Sequence, residues 1–119
     1  MKERLKKDYP PVNQMNQDQR IEIVKDIFST VTNKYDFLNR FLSLRQDITW
    51  RRKTVQEMRF FKSFKLLDMA TGTGDLAIDA VNVHANIKAI GLDFVQEMVD
   101  YGNVKIKSQN LLDRAVLKW

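Results

Sequence analysis

The sequence predicts an α/β fold in which a helical region precedes the first βαβ unit of a parallel sheet. Three observations predict it. Apolar residues recur at helical spacing in the first half, at Ile21, Val24, Phe28 and Val31. The texture changes at Lys65–Met69, a short apolar run followed at once by a glycine-bearing turn. A second short apolar run, Ile87–Leu92, returns after one helix-length segment. Strand, turn, helix and strand in that order make a βαβ unit, whose crossover is almost always right-handed.

Composition bounds the rest. At 119 residues the chain has the length of one compact domain, and 44% apolar with 29% charged residues is the balance of an ordinary globular protein. It divides into a polar arm (1–19), a helical region (20–64) and a partial Rossmann-like unit (65–119). With no cysteine there is no disulfide scaffold, thiolate metal site or cysteine nucleophile, which fits a reducing cytosol. The single histidine, His84, excludes a multi-histidine metal cluster and argues against a Ser-His-Asp triad; it reads as a surface residue. No run approaches the ~20 apolar residues of a membrane span. The net charge of +5 is uneven. Residues 1–64 carry 14 Lys and Arg against 8 Asp and Glu, a net of +6, and residues 65–119 carry 6 against 7, a net of −1. Arg51, Arg52 and Lys53 could meet phosphates or lipid headgroups. The same run also reads as a solvated helix face, and no specific nucleic-acid partner is expected.

The elements follow in order. Pro10 and Pro11 punctuate the polar arm. The first helix ends at the polar trio Thr32, Asn33 and Lys34, and the stripe resumes through Tyr35, Leu38 and Leu42 as a second helix. A third opens near Ser43–Asp47 and passes Trp50, Val55 and Met58 towards Phe60 and Phe61, with Asp47 and Arg51 as an i,i+4 ion pair. Lys65–Met69 is the first strand, Asp75–Val83 a helix, Ile87–Leu92 the second strand, Phe94 to about Asn110 a helix, and Ala115–Leu117 the start of a third apolar segment.

The turn Asp68-Met-Ala-Thr-Gly-Thr-Gly-Asp75 is the informative piece. Gly72 and Gly74 allow a tight turn and close approach of a ligand, and the next helix points its free N–H groups into that turn. Asp93 stands at the end of the second strand, 19 residues past Gly74, where such folds place an acid for ribose hydroxyls. Gly72, Gly74 and Ala77 also satisfy a G-x-G-x-x-A dinucleotide fingerprint, so the glycines alone do not choose the ligand. Asp68 and Asp75 argue against a diphosphate in the turn. Two carboxylates there suit S-adenosylmethionine, whose amino group and sulfonium are cationic, better than an anionic dinucleotide. Both aspartates also have plain structural readings, Asp75 as a complement to the helix dipole and Asp68 as a turn cap.

Asp68-Met-Ala-Thr-Gly-Thr-Gly-Asp-Leu76 resembles motif I of class I S-adenosylmethionine-dependent methyltransferases, most closely the ubiquinone/menaquinone biosynthesis C-methyltransferases. Upstream, Ile27 to Asn39 resembles that family's F-x-S-V-A-x-x-Y-D-x-M-N signature, and Ser43-Leu44 with Trp50-Arg51-Arg52 resembles the segment after it. Phe94 to Met98 resembles its D-x-S-x-x-M-L continuation. The likeness covers about residues 20–112, in the family's order and spacing. It implies a Rossmann-like class I methyltransferase fold, here incomplete. Carried over position by position, it implies cofactor contacts at Asp68, Thr73 and Asp93, with Gly72 and Gly74 shaping the loop. Tyr35 and Asp36 become candidates for the substrate side, although Tyr35 also fits a core tyrosine on the apolar stripe, and no catalytic base is identified.

The implied reaction moves a methyl group from S-adenosylmethionine to a ring carbon of a demethylated isoprenoid quinol, in a cytoplasmic enzyme at the inner face of the membrane. Peripheral membrane contact stays open. The chain departs from the family at Arg45, Asp47 and Ile48, where the family has Gly, His and Arg. Family members also continue through four more strands. The chain therefore reads as a truncated or partial enzyme whose first strand exposes an apolar edge, to be completed by another copy or a second chain. An NAD(P)-binding oxidoreductase domain and a non-catalytic βαβ partner-binding module are the alternatives.

Overall fold

A reciprocal cap opens the helical half. The Gln19 N–H donates to the Asn16 side-chain oxygen at 2.8 Å, and the Asn16 N–H donates to the Gln19 side-chain oxygen at 3.0 Å. Two donors that a helix start would leave orphaned are satisfied at once. The computed structural model describes residues 10–42 and 46–119, so Ser43, Leu44 and Arg45 lie outside the described residues. After a short 3-10 turn at Val12–Gln14, helix α1 spans Gln17–Leu42, starting inside the stretch expected to be an arm.

The expected break at Thr32–Lys34 is absent. The polar trio contains no glycine or proline, and the hydroxyls on this stretch serve the helix. Thr30 Oγ1 donates to the Asp26 carbonyl at 2.8 Å and Thr32 Oγ1 to the Phe28 carbonyl at 2.7 Å. A hydroxyl bonded one turn back lets a polar residue sit inside a helix. Helix α2, Gln46–Glu57, stops short of Phe60 and Phe61. Its end is closed by the Arg59 guanidinium, which donates to the carbonyls of Gln56 (2.8 Å) and Met58 (3.2 Å).

Strand β1 (Lys65–Met69), helix α3 (Asp75–Val83), strand β2 (Lys88–Leu92), helix α4 (Gln96–Ser108) and strand β3 (Ala115–Lys118) complete the order. The sheet is wholly parallel in the order β1-β2-β3, with Leu67 opposite Ile90 and Ile90 opposite Val116. Period 2 assigns the faces. Leu66, Ala89, Ala115 and Leu117 turn to the core formed with α3 and α4. Leu67, Met69, Ile90 and Val116 lie on the opposite face and are exposed, Leu67 at 58% and Met69 at 65%.

Leu117 fills a recess that only glycines leave open. A Cβ on Gly91 would stand 2.5 Å from a Leu117 methyl, one on Gly102 2.2 Å and one on Gly74 2.8 Å. Asn103 of α4 then finishes the outer edge of β3, its amide donating to the Leu117 carbonyl (3.0 Å) and its oxygen accepting the Leu117 N–H (2.9 Å). The end of α3 is fixed by Arg114, which donates to the carbonyls of Val81 (2.6 Å), His84 (2.9 Å) and Ile87 (3.3 Å), a cation at the negative end of the helix. His84, expected at the surface, is half-buried: Nε2 donates to the Val55 carbonyl at 2.8 Å and the ring meets Phe60 edge to face. It is a peg between α2 and α3, with no feature of a catalytic group.

Candidate functional site

The turn after β1 is built from left-handed residues. Ala70, Gly72 and Gly74 have φ of 57°, 59° and 82°. Glycine adopts this region freely, whereas at Ala70 it costs about 1–2 kcal/mol. Hydrogen bonds hold the turn to both strands. The Thr71 N–H donates to the Leu92 carbonyl at 2.9 Å, and its hydroxyl donates to Asp68 Oδ2 at 2.7 Å. Asp93, just past β2, closes the circuit: Oδ2 accepts the Gly72 N–H at 2.8 Å and Oδ1 accepts the Val95 N–H at 3.0 Å, at the start of α4. One carboxylate thus joins the glycine turn, the end of β2 and the next helix.

Beside this junction, at the C-terminal ends of the strands, lies an open cleft of about 650 Å³ lined by Met69, Ala70, Leu92, Asp93, Phe94 and Trp119, with Lys25 reaching in from α1. In open parallel sheets this is where ligands bind. The Trp119 indole N–H donates to the Phe94 carbonyl at 3.1 Å, and Lys25 Nζ lies 5.9 Å from the centre of each of the two rings. Helix α1 is tied to the first turn of α4 by Ser29, whose hydroxyl donates to Glu97 at 2.8 Å.

The charges behind the turn are already matched. Asp75, in the first turn of α3, meets Lys105 Nζ at 2.7 Å and Arg51 at 3.6 Å. Arg51 also donates from Nε to Asp79 at 2.6 Å and lies 3.8 Å from Asp47. Burial alone would lower the Arg51 pKa; the bond to Asp79 and the charges of Asp75, Asp79 and Asp47 outweigh it and raise the pKa above its ordinary value. Arg51 is therefore committed to carboxylates and is not free for phosphate, while Arg52 and Lys53 beside it are exposed. The repulsion expected between Asp75 and a diphosphate is correspondingly weakened, because two cations answer that carboxylate.

Of the residues expected to hold a cofactor, Asp93 lines the cleft, Gly72 is tied to it, and Asp68 is one hydrogen bond away through Thr71. Thr73 and Gly74 are not among the residues lining the cleft. The Thr73 side chain is buried, at 2% exposure, with its hydroxyl accepting from Lys105 at 2.9 Å. Tyr35 and Asp36 sit on α1 with side chains outside the described residues. Sequence reasoning missed Lys25, Trp119 and Lys105. Trp119 follows β3 directly and could have been found by extending the strand-end argument; the two lysines are joined to the site only by tertiary packing. Among the described residues no cluster of His, Asp or Glu could hold a metal ion, and no helix is long and apolar enough to cross a membrane.

The model of the ubiE/COQ5 methyltransferase family matches residues 13–118. The chain belongs to this family. Among curated relatives, the ubiquinone/menaquinone biosynthesis C-methyltransferase UbiE of Geotalea uraniireducens is 43% identical over 86 residues, which are 71% of this chain and 37% of that protein. The demethylmenaquinone methyltransferase of Deinococcus radiodurans is 35% identical over 102 residues, 86% of this chain and 42% of that protein. The chain thus spans about two fifths of the length of these relatives. Among solved structures, the mitomycin 7-O-methyltransferase MmcR superposes with a TM-score of 0.57 at 15% identity, over 75% of this chain and 27% of that one, a likeness of fold. The expected class I methyltransferase fold, present in part, is the one observed: N-terminal helices followed by a parallel three-stranded sheet. Membership in this family argues against the dinucleotide oxidoreductase reading.

Proposed function

We propose that this chain forms the S-adenosylmethionine-binding part of a quinone-biosynthesis C-methyltransferase that methylates a ring carbon of a demethylated isoprenoid quinol. The observation that carries the reading is the Asp93 carboxylate, bonded to the Gly72 amide at the mouth of a cleft at the strand ends. The residues present fit an adenosyl ligand. The left-handed turn presents bare backbone at Gly72, tied to Asp93, while Gly74 lets the chain pass closely over Leu117. Asp93 offers acceptor capacity beyond its two amide bonds for ribose hydroxyls, and the rings of Phe94 and Trp119 offer faces for a planar base. A cleft of about 650 Å³ is within the range of cofactor sites.

Bound there, S-adenosylmethionine would supply an electrophilic methyl group on its sulfonium. The work of this chain is positional: Asp93 and the glycine turn orient the ligand, Phe94 and Trp119 cover it, and α1 borders the mouth. Alignment of donor and acceptor supplies most of the rate in such a transfer. Asp68, Gly72, Thr73, Gly74 and Asp93 form the proposed cofactor set, in which Asp93 and Gly72 stand at the cleft and the buried Thr73 and Gly74 shape the turn. Tyr35 and Asp36 remain the proposed substrate-side pair. The exposed edge of β1 and the bare sheet face would be covered by further chain, in a second copy or another subunit. The names of the relatives support a quinol substrate, and with it a cytoplasmic protein working at the membrane surface.

Calorimetric titration with S-adenosylhomocysteine, with NADPH as competitor, tests the reading. Binding of the former and not the latter is expected, and Asp93→Ala should weaken it by about tenfold or more, the equivalent of about 1.4 kcal/mol. Unchanged affinity in that variant would remove Asp93 from the site.

A further inference from the structure

We propose that Lys105 is a positioning residue for the glycine turn: its ammonium pins Thr73 and Asp75 to α4 and so holds the turn in the shape that receives the adenosyl ligand. The inference rests on the adenosyl-site reading above and adds a residue that no part of motif I contains. Lys105 lies on α4, 31 positions past Gly74, yet its Nζ donates to Thr73 Oγ1 at 2.9 Å and to Asp75 Oδ1 at 2.7 Å. Its side chain is largely shielded, at 19% exposure, and its ammonium lies 5.4 Å from the centre of the Tyr101 ring. These are charge-assisted bonds in a partly dry setting, where such bonds are strong.

The rest of the contact shows why the turn depends on it. Backbone meets backbone here, because a Cβ on Gly102 would come within 2.6 Å of the Thr73 carbonyl oxygen. The turn is therefore gripped from two sides. Asp93 holds the Gly72 amide beside the cleft, and Lys105 with Gly102 holds Thr73 and Asp75 against α4. Gly72 is held by the first grip and Gly74 lies inside the second, and their φ of 59° and 82° no intrinsic preference of glycine enforces. Asp75 is answered from α2 as well, by Arg51 at 3.6 Å. Without Lys105 its carboxylate would be drawn towards that cation, and the buried Thr73 hydroxyl would lose its ammonium donor. The turn would then sample other shapes, and ligand binding would have to select one of them.

The test compares Lys105→Met, which keeps the length of the stem, with Lys107→Met, which removes the same charge from an exposed neighbour. Affinity for S-adenosylhomocysteine is measured by calorimetry well below the melting temperature, where a loss of stability alone leaves the dissociation constant unmoved. The amide shifts of Gly72 and Gly74 are followed by NMR in the free protein, with Ala89 as reference. Lys105→Met should raise the dissociation constant about tenfold and move both glycine amides, while Lys107→Met matches the parent. Asp75→Asn added to Lys105→Met should cost less than the two changes made separately. Should Lys105→Met not fold, Asp75→Asn and Thr73→Val remove the same bonds from the other side and are expected to weaken binding similarly. An unchanged dissociation constant overturns the proposal whatever the amides do. If the parent itself binds no S-adenosylhomocysteine, the adenosyl-site reading fails, and the glycine amides decide the clamp alone: moved, it stands; unmoved, it falls.

Discussion

Arg51 organises more of the molecule than its place in a basic run suggests. Its guanidinium faces Asp47, Asp75 and Asp79, so α2 is fastened to α3 and to the first residue after the glycine turn. A planar fork holds five donors in a fixed geometry that reaches carboxylates on different sides, a spread that a compact ammonium does not match. Arg51→Met should lower stability by about 2 kcal/mol, since it removes a charged hydrogen bond and leaves three carboxylates close together. Arg51→Lys should recover only part of that loss, and thermal melts of both variants check it. The pH dependence has a definite sign. The folded pKa is raised, so the contribution of Arg51 is fully present below its unfolded pKa and is lost only as pH rises through the higher folded value. From about pH 6 to about pH 9 the guanidinium is charged in both states, and its own titration adds no slope. Lys53, on the same helix and exposed, serves as the control; a cost there equal to that of Arg51 would refute the hub.

At the scale of elements, β3 is seated by one leucine and three absent side chains. Leu117→Ala should cost about 2–5 kcal/mol, the range for emptying a packed leucine site. The glycines facing it differ in a testable way. A Cβ on Gly91 meets only side chains, those of Leu117 and Thr71, whereas one on Gly102 also meets the Thr73 backbone, and Gly74 has φ of 82°. Gly91→Ala should therefore destabilise in the parent and be partly rescued in a Leu117→Ala background. Gly102→Ala should not be rescued, because a peptide oxygen cannot move aside as a methyl group can. Denaturant midpoints of the three single and two double variants decide it, and rescue of Gly102→Ala would overturn the packing account. The helical half has its own lesson. Thr32 looked like a helix break in the sequence because threonine is polar and β-branched, yet its hydroxyl bonds one turn back and the helix runs on.

For the molecule as a whole, the decisive feature is a parallel sheet covered on one face. Parallel sheets are ordinarily buried on both. Here Leu67, Ile90 and Val116 form a row across all three strands, in register, on the face away from α3 and α4. Asn103 closes the edge at β3, while β1 pairs only with β2 among the described residues. The 119-residue chain should consequently self-associate through this surface and bind a hydrophobic dye. Leu67→Lys with Ile90→Lys should suppress both with the circular dichroism spectrum intact. Sedimentation of parent and variant reads the outcome, and a parent that stays monomeric and binds no dye would show that the face is tolerated in water.

The sequence by itself determined the order and type of the strands and helices from Lys65 onward, the turn, and the place of Asp93 at the end of the second strand. Each is a local matter: a period of two or of 3.6, a glycine where φ must be positive, an acid at a strand end. It also carried the family likeness, because the signature residues lie in contiguous runs. Only the tertiary structure decided that Asp75 is neutralised from α2 and α4, that the Thr73 hydroxyl belongs to Lys105, and that Lys25 and Trp119 meet at the cleft. Those pairings join residues 24 to 94 positions apart, with nothing in the intervening sequence to mark them. Side-chain charge and polarity state what a residue can bind, and the packing of distant elements selects which partner it meets.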